Sequence, residues 1–189
     1  CTNLCEEFTM DQLYSTLSGY QMTRAPGSTY EYSNFAFGLL GDLLTNHAGK
    51  ADYEALLLDR ITRPLGMDST RIEVTPEMVS RLAPPHNKYG KPTESWEAPA
   101  FIGAGGIRST ANDMLTFLAA NMGITDTELQ PAMQLATTPQ RLTFDANYIG
   151  LGWILPKSAV GIIKHNGGTF GYHSYLAWDP QRKIGVVVR

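Results

Sequence analysis

The sequence predicts an α+β fold, on two observations. Helical apolar spacing dominates from residue 8 to about residue 136, and short strand-like runs bounded by turn residues take over after residue 145. Helices and strands are therefore segregated along the chain, which argues for a helical region beside an antiparallel sheet. The expected division is a mostly helical region, residues 1–145, and an antiparallel strand region, residues 146–189.

Each element follows from local pattern. Phe8-Thr9-Met10-Asp11 opens a helix, with Leu13 and Leu17 at helical spacing. Ala25-Pro26-Gly27-Ser28 is a turn. A strongly apolar helix then follows Tyr32-Ser33-Asn34. Phe35, Leu39, Leu40, Leu43 and Leu44 are its predicted buried face, and it ends near Gly49. Residues 53–61 repeat the pattern and Pro64-Leu65-Gly66-Met67 closes it.

Residues 68–103 contain Pro76, Pro84, Pro85, Pro92 and Pro99 and show little periodicity. Interspersed aromatics (Tyr89, Trp96, Phe101) make this irregular structure folded over a core, not a linker. Thr110 and Asp113 fit a capping box at the start of a helix through Leu118. Another helix is predicted over 127–135. Strands are predicted over 148–155, 161–165, 172–178 and 184–188, with residues 179–183 as a hairpin loop.

Composition excludes several function classes. The chain has 189 residues, 17% of them charged, with a net charge of −3 and no basic run, so nucleic acid is not an expected partner. No apolar stretch approaches the roughly 20 residues of a membrane span. Cys1 and Cys5 are the only cysteines, and His47, His86, His165 and His173 are not at metal-ligand spacing, so no metal is expected. The cysteines read as incidental thiols, with a short-range disulfide as the alternative. No basic start, apolar signal core or initiator Met is visible, so the chain is expected to begin inside a longer protein or after processing.

Two stretches carry chemistry. Tyr32-Ser33-Asn34 lies where a Pro-Gly turn meets a helix, which can hold side chains firmly. A phenol there can serve as a general base where a nearby cation favours its phenolate, and an amide can hold a substrate carbonyl. The plain alternative is a turn tyrosine capped by an asparagine. The second stretch, from His165 through Asn166, Gly167, Gly168, Thr169 and Phe170 to Gly171, is predicted at the end of an apolar strand. Its glycines let a substrate approach the backbone, and free strand N–H groups can serve as an oxyanion hole. The alternative is a glycine-rich hairpin turn with an exposed histidine. A third glycine-rich stretch, residues 101–106, lacks the spacing and strand context of a dinucleotide site and reads as a close-packed turn.

Taken in order, these stretches resemble the serine β-lactamase-like and penicillin-binding-protein superfamily. The nearest branch is that of class C β-lactamases, D,D-carboxypeptidases and related esterases. The likeness runs from Pro26-Gly27 and Tyr32-Ser33-Asn34 through Pro64-Leu65-Gly66-Met67, Gly103-Ala104-Gly105-Gly106 and Ser109–Asp113 to His165-Asn166-Gly167 and the last hairpin. The resemblance implies a serine hydrolase working through an acyl-enzyme on an amide, lactam or ester, without a cofactor. It implies Tyr32 as a basic group, Asn34 as a ligand of the substrate carbonyl, and His165-Asn166-Gly167 in the place of the family's Lys-Thr-Gly. Gly168 would then lend the oxyanion N–H. It also suggests a periplasmic or secreted setting and a small-molecule or peptide substrate.

One departure qualifies this. No serine of the chain has a lysine three places later, so the family's Ser-x-x-Lys nucleophile is absent. The expectation is that a preceding segment or a second chain supplies it, together with the first strands of the sheet. The competing expectation is a non-catalytic binding protein that keeps the fold. Histidine in the third motif gives a less firm positive charge than lysine, so weak or no β-lactamase activity is expected.

Overall fold

A computed structural model describes residues 8–95, 98–143, 145–157 and 161–189, so Cys1, Cys5 and Trp96 lie outside the described residues. The chain divides into two compact units.

The first unit comprises Cys1–Leu57, Arg71–Arg108 and Thr169–Gly171. Its helix α1, Met10–Gly19, starts at Thr9, whose hydroxyl caps Gln12 N–H while the Gln12 side chain returns to the Thr9 N–H. Leu13 is fully buried, and Phe8 stacks on Phe101 with centroids 5.4 Å apart. Helix α2, Asn34–His47, lies where the apolar run predicts it, but its buried face is not the leucine face. Gly38, Gly41 and Thr45 are buried, whereas Leu40, Leu43 and Leu44 are exposed.

The reason is backbone proximity. Helix α2 packs on the 3-10 turn Pro99–Phe101 and on the short helix Ile102–Gly105. A Cβ on Gly38 would lie 2.4 Å from the Ala100 carbonyl oxygen, and one on Gly103 would lie 3.0 Å from the Gly41 Cα. Only glycine allows that approach, so Leu40, Leu43 and Leu44 turn outward, while Phe35 and Leu39 are half-buried. The stretch around Gly103 is thus a helical turn pressed against α2. Helix α3, Tyr53–Leu57, packs on α2 as well. In the proline-rich region the structure adds a helix, Pro76–Val79, and an Arg71–Arg108 bridge with N–H···O distances of 2.9 and 2.7 Å.

The second unit comprises Leu58–Thr70, Ser109–Gly168 and Tyr172–Arg189. A π-helical turn Leu58–Thr62 leads into helix α4, Arg63–Leu65, which Gly66 ends at φ 67°. With Pro76–Val79 counted as α5 and Ile102–Gly105 as α6, the remaining helices are α7, Ala111–Asn121, and α8, Gln130–Ala136. The predicted capping box at α7 is half formed. Thr110 Oγ accepts from Asp113 N–H, but the Asp113 carboxylate turns to Ser69 and Thr70 instead of back to Thr110.

The sheet is a six-stranded meander: β1 Arg141–Leu142, β2 Tyr148–Ile149, β3 Ile154–Leu155, β4 Ile163–Thr169, β5 Tyr172–Asp179 and β6 Ile184–Val188, in sequential order. The antiparallel order matches expectation; two strand boundaries do not. Residues 148–155 form two strands, because Gly152 at φ 91° and a Gly150 N–H to Trp153 O bond of 2.8 Å turn the chain. The strand expected to stop at residue 165 continues to Thr169. Its core is Leu118, Trp153, Leu155, Leu176 and Trp178, with Trp153 edge-on to Trp178 at 4.6 Å. Gly185 admits α7 onto β6: a Cβ there would meet Leu118 Cδ2 at 2.5 Å.

Candidate functional site

In the first unit, the Pro26-Gly27 turn (Gly27 φ 72°) sends an extended segment toward α2. Arg24 and Glu31 form an ion pair just before Tyr32. Ser33 is the N-cap, with φ −146° and ψ 111°, and its Oγ accepts from Ala36 N–H at 3.1 Å. The cap is therefore Ser33 and not Asn34. Asn34 is the first residue of α2 and is exposed. Tyr32 is 62% exposed, and neither its hydroxyl nor the Asn34 amide bonds to a described residue. The helix start therefore holds the backbone and leaves both polar groups available.

In the second unit, His165, Asn166, Gly167 and Gly168 lie in the middle and latter half of β4, not in a turn. His165 is half-buried; Asn166 and Gly168 are exposed. A Cβ on Gly167 would sit 2.5 Å from Ser174 Oγ, and one on Gly168 3.5 Å from His173 Nδ1, both on β5. Gly167 is thus held to glycine by its neighbour across the ladder.

The structure brings Tyr32 and Asn34 together at one helix start in the first unit. It brings His165 through Gly168 together on one strand in the second. Sequence reasoning missed Ser33 as the cap, although a serine before an apolar helical run is a recognisable start signal. That Ser174 and His173 stand against Gly167 and Gly168 depends on cross-strand register and could not be read from either stretch alone. Among the described residues no group of three or more His, Cys, Asp or Glu side chains is placed to hold a metal ion.

Comparison with known proteins agrees with this architecture. The family model described as beta-lactamase matches residues 3–188. The D-alanyl-D-alanine-carboxypeptidase/endopeptidase AmpH of Escherichia coli K12 is 34% identical over 198 residues, covering 95% of this chain and 50% of that protein. A class C beta-lactamase structure from Rhodobacter sphaeroides superimposes with a TM-score of 0.86 at 24% identity, covering 96% of this chain and 60% of that one. The D-alanine carboxypeptidase AmpC of Burkholderia cenocepacia gives 0.84 at 27% identity, covering 94% and 60%. The chain spans about half the length of the curated relatives it matches.

Proposed function

The chain belongs to the beta-lactamase family, and on that premise we propose that it carries the acid–base and substrate-binding half of a serine hydrolase acting through an acyl-enzyme. The nucleophile, a serine of a Ser-x-x-Lys segment, is supplied from outside these 189 residues. The serine oxygen attacks an acyl carbonyl and its proton passes to the Tyr32 oxygen, which acts as general base. The tetrahedral oxyanion takes hydrogen bonds from the Gly168 N–H and from the N–H of the nucleophile. One such donor is worth on the order of 10²–10³ in rate. Asn34 holds the substrate's carbonyl or amide, and His165 with Asn166 and Gly167 lines the strand along which it lies. Collapse expels the leaving group with the proton returned through Tyr32, and water then hydrolyses the ester in the same way.

The observation that carries this reading is Tyr32. It is a solvent-facing phenol with no partner among the described residues, fixed one residue before a serine-capped helix start. The identity to a D-alanyl-D-alanine carboxypeptidase/endopeptidase and the histidine in the third motif together favour peptide or ester substrates over efficient lactam hydrolysis.

The test is acylation of the full-length protein with a fluorescent penicillin or a fluorophosphonate, followed by mapping of the label. One labelled serine in a Ser-x-x-Lys segment is expected. Absence of any labelled serine would overturn the reading and leave a binding protein that keeps the fold. Rapid turnover of a cephalosporin would overturn the substrate preference alone.

A further inference from the structure

The turn that joins β4 to β5 is Phe170-Gly171, and Gly171 is gripped from outside the hairpin. Its φ of 80° lies in the left-handed region that favours glycine. A Cβ there would also stand 2.5 Å from Pro85 Cβ, 2.8 Å from Thr93 Cγ2 and 2.9 Å from His86 N. The His86 N–H donates to Gly171 O at 3.1 Å. Thr169–Gly171 accordingly groups with the first compact unit, as Arg71–Arg108 does.

The gripping segment is itself braced. Thr93 N–H donates to Pro85 O at 3.0 Å and Asn87 N–H to Lys91 O at 2.8 Å, and His86 pairs with Pro92 in a β-bridge. At the far end, Asn87 Oδ1 accepts from the Tyr89 and Lys91 N–H groups at 3.0 and 3.2 Å. Residues 85–93 thus form a small closed loop with Pro85 and Pro92 near its base.

What this loop holds is the weak end of β4. Gly167 and Gly168 bring no side chains to pack the strand, and turns and strand ends are the first parts of a fold to open. Gly171 follows Gly168 by three residues, so chain length alone keeps the two within about 10 Å. A shift of the turn therefore carries to the Gly168 N–H. We propose that Gly171 is a positioning residue for the oxyanion donor: seated against Pro85, His86 and Thr93, it fixes where the Gly168 N–H points. The proposal rests on the hydrolase reading above.

The experiment measures kcat and KM of the full-length protein on an ester. It also measures affinity for a boronic acid, whose adduct with the nucleophilic serine is tetrahedral like the transition state. Gly171→Ala is expected to lower kcat about 10²-fold, the weight of a displacement near 1 Å, and to weaken the boronic acid in parallel while KM holds. Gly90→Ala is the control. Gly90 has a φ of 73° in the same loop, but a Cβ there meets nothing within 4 Å, so this variant carries the backbone strain without the collision and should keep kcat. Pro85→Gly with Thr93→Ser removes two of the atoms in the way. Added to Gly171→Ala, the pair should recover part of the lost kcat; alone, it loosens the seat and should lower kcat by a smaller factor. An unchanged kcat in Gly171→Ala, or an equal loss in Gly90→Ala, overturns the proposal while the hydrolase reading stands. So does a loss that falls on KM alone, or one that Pro85→Gly with Thr93→Ser does not relieve. Should Gly171→Ala not fold, Pro85→Gly with Thr93→Ser decides alone, by whether kcat falls while KM holds. An unmodified protein that neither acylates nor turns over the ester overturns the hydrolase reading and, with it, this one.

Discussion

The Thr70 hydroxyl donates to Asp113 Oδ2 at 2.7 Å, tying the turn after α4 to the first turn of α7. The same carboxylate oxygen accepts from the Ser69 N–H at 2.9 Å, and Thr70 is 2% exposed. Asp113→Ala withdraws that acceptor from both donors in a largely dehydrated setting. It is expected to cost about 2–3 kcal/mol, and Asp113→Asn, which keeps one acceptor oxygen, about half as much. Urea unfolding midpoints at constant slope measure this. Equal midpoints for Asp113→Ala and the unmodified chain would refute it.

Gly38→Ala tests the glycine face of α2. Alanine normally gains about 1 kcal/mol over glycine inside a helix. Here its methyl would stand 2.4 Å from the Ala100 carbonyl oxygen, a backbone atom that cannot rotate away. The clash outweighs the propensity, and a net loss of about 1–3 kcal/mol is expected. Leu40→Ala, on the exposed face, should shift the melting temperature far less. A reversed order of the two in thermal unfolding would show that the leucine face is the packed one.

That reversal marks where sequence reading stops. Helix starts at Thr9 and Thr110 were legible because caps are local: a hydroxyl and a backbone N–H three residues on. The β5–β6 hairpin was legible for a similar reason, as two alternating runs around one turn. The packed face of α2 was not, because it is decided by how closely a distant backbone approaches, and apolar counting assigns it to the leucines. The break at Gly150–Trp153 was missed because the apolar residues on either side of Gly150 and Gly152 read as one run. Of the candidate site, Tyr32, Asn34 and the His165 motif are named from residue type and order alone. The pairing of Gly167 with Ser174 needed the register of two strands, which no single stretch encodes.

Tyr14 donates its phenol hydroxyl to the Asp42 carboxylate, linking α1 to α2. The hydrogen bond to Asp42 is the chief cause that raises the Tyr14 pKa above its usual value of about 10. The sign follows from linkage. A group whose folded pKa is raised contributes stability that is present below its unfolded pKa and is lost as pH rises through the folded one. The stability difference between the unmodified chain and Tyr14→Phe should therefore hold from neutral pH to about 10 and shrink above it. Denaturation at pH 8 and at pH 11 checks this, and a difference that grows on the alkaline side would contradict the pairing.

Tyr32 and Ser33 are adjacent, yet their substitutions should separate chemistry from folding. Tyr32 is 62% exposed and makes no bond to a described residue, so Tyr32→Phe should leave stability within about 0.5 kcal/mol. If its oxygen moves the proton, acylation of the full-length protein should slow by about 10²–10⁴, the usual weight of a general base. Ser33→Ala removes the cap on Ala36 N–H and should cost about 1 kcal/mol. It keeps the phenol, so any loss of acylation should track the smaller disturbance of the helix start that positions Tyr32. Stopped-flow labelling beside unfolding of the same two variants gives both readouts. Should Tyr32→Phe instead unfold the protein and leave acylation intact, the phenol would be a structural group and the base would have to be sought elsewhere.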